Sequence, residues 1–474
     1  MTGNGSLTWQ PLGLLTTVKP PAPRGRYDNN ELSPARGKIA GLTKYATKNC
    51  GIGATLSALR TRASGKTYSA AKGVQLSILA LLTGAKAGRQ IEGRGRQQQK
   101  KNEDFRSPCR NTIGGLLGEK RSADAIDKNV TELATVCRSQ RIDRPERFAG
   151  LRAASLDGID LGEVCRGYKP CPLCLSREVK VKGPDGLEIT ETRFYHFAVV
   201  IVLHTTVGPI PIGYELAKND EVASDVVSAE KIKQDCEMKI ARRLLARLAA
   251  NSKGKLPFDV LFTDALHGNA PSMESIESFG CLAVSVLKDE RRQLRLEAEA
   301  EFDFGLNPEI GERQWKRRSS RNGDRLFFAQ TLTLIDEHRT RKNKEVTVTR
   351  IVRTEDESNE SINYFLSTPS TRLTPQVIEE LRYAKWGDLE NRTFNTLTNS
   401  FGILKQLPFH SESAIVSYIG LVLLVLAVTT LYRFRNLCRG GRHCTSTIKE
   451  FLEHMLSDFL QMRKTRGILF PQGP

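Results

Sequence analysis

Apolar positions recur along this chain with two different periods, and the switch between them divides it. Across residues 37–88, Leu42, Tyr45, Ile52, Leu56 and Leu59, then Val74, Leu76, Ile78, Leu79, Leu81 and Leu82, mark helical faces. Residues 90–104 are polar and basic and read as a linker or exposed turn. Helical spacing returns over 113–136 with Leu116, Leu117, Ile126, Leu133 and Val136. From residue 149 onward the pattern becomes strand-like. Residues 152–156 end on Asp157 before Gly158, which predicts a strand that delivers a carboxylate at a turn. Residues 194–203, FYHFAVVIVL, form a buried-strand run, and 208–216 read as its hairpin partner. A long helix over 221–250, a short strand over 258–263 ending on Asp264, a helix over 271–279 and a strand over 282–287 closed by Lys288 follow. Antiparallel strands followed by strand–helix–strand units predict a mixed α/β sheet with helices on its faces.

Residues 289–372 break that order. They are charged, and the alternation over 326–334 and 345–352 predicts a mostly β insertion with basic loops. The chain then returns to helix. Tyr383, Trp386, Glu390, Phe394 and Leu397 follow at steps of three or four and share one helical face. A carboxylate among aromatics on an inward face is costly unless something there uses it. Residues 414–431 form an apolar run about as long as a membrane span. It stands late in a polar chain and is read as a core helix, with no stable membrane association expected. The resulting organisation is a Pro- and Gly-rich leader (1–35), a basic helical domain (36–148), a two-part core (149–288 and 373–435) around the insertion (289–372), and a basic tail (436–474).

Charge adds a partner. The chain carries a formal +18, and residues 1–150 hold 26 Lys and Arg against 11 Asp and Glu, so most of the excess lies in the first third. A polyanion contacted by the N-terminal helices is the expectation, and nucleic acid is favoured over a solubilising tail. Ten scattered cysteines suit a reducing cytoplasm.

Three acidic residues then acquire a chemical meaning. Asp157 and Asp264 are read at strand ends and Glu390 on a facing helix, which is what metal-dependent phosphoryl transfer uses. Mg²⁺ prefers carboxylate oxygens, and paired ions can activate the attacking oxygen and stabilise the leaving one. Asp160 is the rival for Asp157. The segments LDGID, YHFAVVIVLHTTVGPIPIGYEL, FTDALHGNAPSMESIESFGCLAVSVLKD and KWGDLENRTFNTL carry a resemblance. Over residues 110–435 the chain resembles the DDE transposases of bacterial insertion sequences, in the branch with a Tyr–Arg–Glu–Lys signature and a β-rich insertion. The resemblance implies an RNase H-like catalytic core with Asp157, Asp264 and Glu390 as ligands of Mg²⁺ or Mn²⁺. It further implies cleavage at terminal inverted repeats, strand transfer into target double-stranded DNA, a homodimer on DNA and a place in the bacterial nucleoid. Tyr383 matches the signature tyrosine and Glu390 its glutamate, while Trp386 and Leu397 stand where the family has its basic pair. Lys385 and Arg392 are candidates to substitute for that pair on DNA phosphate, as is Lys288 at its strand end, and His267 is expected nearby. The alternatives are an inactive DNA-binding remnant and an RNase H-like nuclease that does not transpose.

A second cluster is Cys165, Cys171 and Cys174 in CRGYKPCPLC, whose CxxC pair has zinc-knuckle spacing. Zinc stands as a candidate beside reduced loop cysteines, and the sequence names only His196 and Cys109 as further ligands.

Overall fold

The computed structural model describes residues 39–61, 66–101, 106–164, 171–182, 187–219, 235–288, 293–304, 310–319, 323–336, 344–356, 359–403, 407–437 and 447–461. The leader 1–35 and Cys165 lie outside them. Six helices come first: α1 (Ile39–Asn49), α2 (Ile52–Ala58), α3 (Ala70–Leu82), α4 (Gly88–Lys101), α5 (Arg110–Leu117) and α6 (Lys120–Ser139). Helix α4 corrects the reading of 90–104 as a linker. Its composition is polar, but Gly88, Ile91, Gly95 and Gln98 fall on one buried stripe. Gly95 permits the approach, since a Cβ there would lie 2.9 Å from Leu76 Cδ2 of α3.

The sheet follows, from β1 (Ala153–Glu163), β2 (Cys174–Lys182), β3 (Glu188–Thr205), β4 (Gly208–Leu216), α7 (Glu237–Asn251), β5 (Val260–Thr263), α8 (Ala270–Glu277) and β6 (Leu282–Val286). Helix α9 (Gln293–Phe304) precedes β7 (Gly311–Ser319), β8 (Gly323–Asp336), β9 (Lys344–Asp356) and β10 (Asn359–Ser367). The strand order is β2–β3–β1–β5–β6–β10–β9–β8–β7, with β4 also on β3. Strand β3 is long enough for two partners on one edge: β2 takes residues 188–196 and β4 takes 198–205. β1 runs antiparallel to β3 and parallel to β5, and β5 runs parallel to β6. The apolar run 198–203 is wholly buried, as a strand covered on both faces must be. The insertion thus extends the main sheet: β10 pairs antiparallel with β6, and β9, β8 and β7 continue as a meander.

Helices cover both faces. One face of β1, β5 and β6 (Ala153, Val260, Phe262, Val284) packs on α10 (Pro375–Ala384) through Val377, Ile378 and Leu381. The other face packs on α7 and α8, with Leu156 and Leu261 against Met238, Ala241, Leu245 and Ile276. The N-terminal helices share their core with the sheet: α6 packs on β4 and on α12 (Glu412–Tyr432). Helix α12 is the one described helix long and apolar enough to cross a membrane, and 89% of its apolar window is buried inside this protein. It is apolar all round because it is enclosed all round, by α3, α5, α6 and β4. Ser417 Oγ donates to the Leu117 carbonyl at 2.7 Å, and Tyr214 Oη donates to the Val416 carbonyl at 3.1 Å. Of the tail, α13 (Ile448–Gln461) folds back on α1 and α3, and Asp458 Oδ2 accepts from the Ile39 N–H at 2.9 Å.

Candidate active site

Asp157 is placed in mid-strand, which corrects the expectation of a strand end at a turn. β1 continues to Glu163 because β3 keeps pairing with it, Asp157 opposite Val200 and Asp160 opposite Phe197. Gly158 belongs to the strand, where its missing side chain makes room: a Cβ would meet Glu237 Oε2 at 2.7 Å. Side chains alternate across a strand, so Asp157 and Asp160, three residues apart, point to opposite faces. Asp160 pairs with Arg177 at 3.1 Å on the exposed ribbon of β2 and β3. Asp157 turns toward the helical run that follows α10.

That run, Lys385–Phe394, is π-helical and leads into α11 (Asn395–Asn399). The stripe expected from a 3.6-residue period is therefore displaced. Trp386 is 60% exposed, and the buried residues are Lys385, Asp388, Leu389 and Thr393. In an α-helix, residues 385 and 390 would stand about 140° apart. Hydrogen bonds of the i→i+5 kind return to one side after five residues, and here Lys385 and Glu390 meet. Lys385 Nζ lies 2.7 Å from Asp157 Oδ2 and 2.9 Å from Glu390 Oε1. Burial works against the Lys385 charge, but Asp157 and Glu390 outweigh it and its pKa is raised. Asp157 is raised too, by burial first and by the charge of Glu237, against the pull of Lys385.

Asp388 anchors the π segment from below. Its Oδ2 accepts from Arg147 Nη2 at 2.8 Å and lies 3.1 Å from His204 Nδ1, while His204 Nε2 is 2.7 Å from Ser155 Oγ. Burial alone would raise the Asp388 carboxyl, but His204 and Arg147 hold it down to about 2. Burial lowers His204, so its ring is neutral near pH 7. An ionised Asp388 can only accept, which puts the ring proton on Nδ1 and makes the Ser155 hydroxyl the donor to Nε2. The atoms match a hydrolytic Ser–His–Asp relay, but Ser155 and His204 are fully enclosed and reach no substrate. Their effect is to fix the π segment, and with it Lys385 and Glu390, against β1 and β3.

Asp264 follows β5 directly. The pairing of β1 with β5 ends at Ser155 opposite Phe262, two residues short of both aspartates. Asp264 Oδ1 caps the turn by accepting from the Leu266 N–H at 3.0 Å. The structure gathers it with His267 and Glu237, their ligand atoms all within 4.8 Å of one another. His267 Nε2 is 3.1 Å from Glu237 Oε1. Glu237 is the residue the sequence reading missed. It was lost inside a helix expected over 221–250, whereas the described helix α7 starts at Glu237 itself. A carboxylate in a first helical turn suits the positive end of the helix dipole. Glu237 packs toward Gly158 of β1 and clusters with Asp264 and His267, and its charge is felt at Asp157 across the strand.

The remaining named residues fall elsewhere. Tyr383 lies under the Arg317 guanidinium, 4.3 Å from its ring centroid, and its Oη accepts from Arg353 at 3.4 Å. Arg392 reaches Asp388 at 3.1 Å with most of its side chain in solvent. Lys288 is exposed just beyond β6. Leu397, at the signature lysine position, is buried in the core.

The carboxylates form two groups that suit a hard divalent cation: Asp264 and Glu237 cluster with His267, and the Lys385 ammonium stands between Asp157 and Glu390, with no contact among the described residues joining Asp157 or Glu390 to Asp264. Lys385→Met would leave Asp157 and Glu390 as neighbouring carboxylates with nothing between them. Mg²⁺ is then expected to bind about tenfold more tightly, or about 1.4 kcal/mol. The check is the Mg²⁺-dependent rise in melting temperature, larger in the variant than in the wild type; equal shifts would show that the ammonium does not occupy the cation's place.

No family model matches this chain, and no curated protein matches it. Among solved structures it is similar to the piggyBac transposase synaptic complex with hairpin DNA, at 11% sequence identity and a TM-score of 0.40. The match covers 90% of this chain and 82% of that one.

Proposed function

We propose that this protein is a metal-dependent DNA transposase that cleaves transposon ends and joins them to target DNA, with Asp157, Asp264 and Glu390 as its catalytic carboxylates. The observation that carries the reading is the shared cation. Asp157 and Glu390, both singled out in the sequence, are bridged by one buried ammonium, although 228 residues separate Lys385 from Asp157. The strand order β4–β3–β1–β5–β6, antiparallel at β3 and parallel after β1, supports an RNase H-like core. Bound among these carboxylates, Mg²⁺ or Mn²⁺ would supply Lewis-acid stabilisation of the phosphoryl oxygens and a more acidic attacking water or 3′-hydroxyl.

The residues of the chain do the positioning. Asp157 is held by the full β1–β3 pairing, and Asp264 by its own turn. Glu390 is aimed by the π segment that Asp388 fixes, and Glu237 adds a fourth carboxylate with His267 orienting it. Trp386, exposed beside Lys385, offers a flat face on which an unpaired base can stack. Arg392 and Lys288 are the basic groups assigned to phosphate. Binding of the inverted repeats by the basic N-terminal helices, a homodimer across two ends and a place in the bacterial nucleoid complete the reading; for these the support is the sequence resemblance alone.

The test uses the full chain and labelled duplexes containing the DNA that flanks its gene, with Mg²⁺, with Mn²⁺ and with EDTA. Metal-dependent nicking at the element's end, followed by joining to a second duplex, is the expected result. Binding without cleavage under either metal would identify an inactive remnant, for which Trp386 and Leu397 in place of the basic pair are the observation. Cleavage without joining would identify a nuclease.

A further inference from the structure

The strongest group outside the carboxylate site lies at the base of the β2–β3 ribbon. Cys174, the first residue of β2, stands directly opposite His196 of β3, and Cys171 reaches the same point from the preceding turn. Cys171 Sγ lies 3.4 Å from Cys174 Sγ and 3.3 Å from His196 Nε2, and Cys174 Sγ lies 3.6 Å from that nitrogen. We propose that Cys171, Cys174 and His196 form a structural zinc site that locks the ribbon to the body of the protein.

The distances carry the proposal. With Zn–S near 2.3 Å and Zn–N near 2.0 Å, tetrahedral angles put ligand atoms about 3.5 to 3.8 Å apart. The three contacts are within a few tenths of an ångström of that triangle. A disulfide would bring the sulfurs to about 2.05 Å, and both cysteines are free thiols. The surroundings are built for sulfur with thiolate character. The Cys171 N–H donates to Cys174 Sγ at 3.2 Å, and the Cys174 N–H donates to the Cys171 carbonyl at 2.9 Å, which closes the turn. Asn219 clamps it from outside, its N–H donating to the Pro172 carbonyl at 2.6 Å and its Nδ2 to the Cys174 carbonyl at 3.3 Å. Cys174 and His196 are buried, which suits a structural ion rather than an exposed redox pair. Cys109 engages Thr112 instead, at 3.2 Å.

An ion there has a mechanical consequence. Beyond the contacts of Arg177 and Arg193 with β1, the described residues of β2 and the outer half of β3 have only each other as strand partners, and their tip exposes Leu187 and Ile189. A two-stranded ribbon in water is marginal by itself. The zinc would hold its base where the body of the sheet ends.

The experiment measures metal on the full chain purified without chelator. The expected result is about one tightly held zinc per chain, lost in the Cys171→Ser, Cys174→Ser double variant and in His196→Ala. Exchange of the wild type with Co²⁺ should produce a sulfur-to-cobalt charge-transfer band and tetrahedral d–d bands, which oxygen ligands at the carboxylate site cannot give. Chelation should open the 175–195 ribbon to limited proteolysis while the far-UV spectrum of the remainder persists. Wild-type protein with no zinc and no cobalt–thiolate band would overturn the proposal, as would zinc retained by the double variant. The cobalt spectrum is read on the wild type, so a variant that fails to fold leaves the proposal open to refutation.

Discussion

Asp157→Asn and Asp264→Asn are each expected to lower metal-dependent strand cleavage on the order of 10³-fold or more, a barrier increase of about 4 kcal/mol. Each change keeps the shape of the side chain and removes one charged oxygen donor, so the loss falls on the chemistry. Binding of duplex DNA should change little, because phosphate contacts come from basic groups elsewhere. Single-turnover rates at saturating protein, beside binding isotherms, separate the two effects. Glu390→Gln and Glu237→Gln sharpen the test. Glu390 is the carboxylate expected from the signature segment, whereas Glu237 enters only through its place beside Asp157, Asp264 and His267. Cleavage that survives Glu237→Gln at the wild-type rate, but not Glu390→Gln, would confine Glu237 to holding His267. The reverse result would move the catalytic glutamate to α7.

His204→Ala is expected to destabilise the fold by about 3 kcal/mol. It leaves the buried Ser155 hydroxyl without its acceptor, removes one partner of Asp388 and opens space beside Phe148, whose ring packs 5.8 Å from the imidazole. Ser155→Ala, which removes only the donor, should cost about 1 kcal/mol. Denaturant melts measure both. The pH dependence follows from the direction of the His204 shift. Its pKa is lowered in the folded state, so the unfolded chain binds the proton more readily, and stability falls as pH drops below about 6.5. Asp388 acts in the same direction in a lower window: with a folded value of about 2, its stabilisation is complete above the unfolded value of about 3.8 and is lost as pH falls below it. Below pH 6.5 the wild type should therefore lose stability more steeply than a His204→Gln, Asp388→Asn variant, in which neither group titrates. Parallel curves would mean that the ring is not held neutral.

Much of the framework was legible in the residues. The run 198–203 is apolar without alternation because a strand covered on both faces has no polar side, and that is how it sits. The short strand before Asp264, the hairpin partner β4, the helix α8 and the alternating strands β8 and β9 of the insertion were signalled locally, by apolar patterns bounded by turn residues. Helix α12 was legible as a core helix because nothing along it is polar enough to face water. Asp264 could be named as a site residue because it directly follows such a strand.

What local pattern could not decide were matters of face and register. Which of Asp157 and Asp160 faces the 385–394 segment depends on the parity of a strand whose pairing with β3 runs on past Gly158. The face of 385–394 is settled by a π wind, which a 3.6-residue count cannot anticipate and which turns Lys385 inward and Trp386 out. Helix α4 is polar in composition and forms because Gly95 lets it lie against α3. Glu237, His204 and Ser155 take their meaning from residues 27 to 184 positions away. By itself the sequence determined most of the core strands and the helices around them, including the strand before Asp264, because burial and turn chemistry act over a few residues. Only the tertiary structure decided which carboxylates share a cation and which thiols face an imidazole, because low-dielectric contacts between distant segments exist only once the sheet has brought them together.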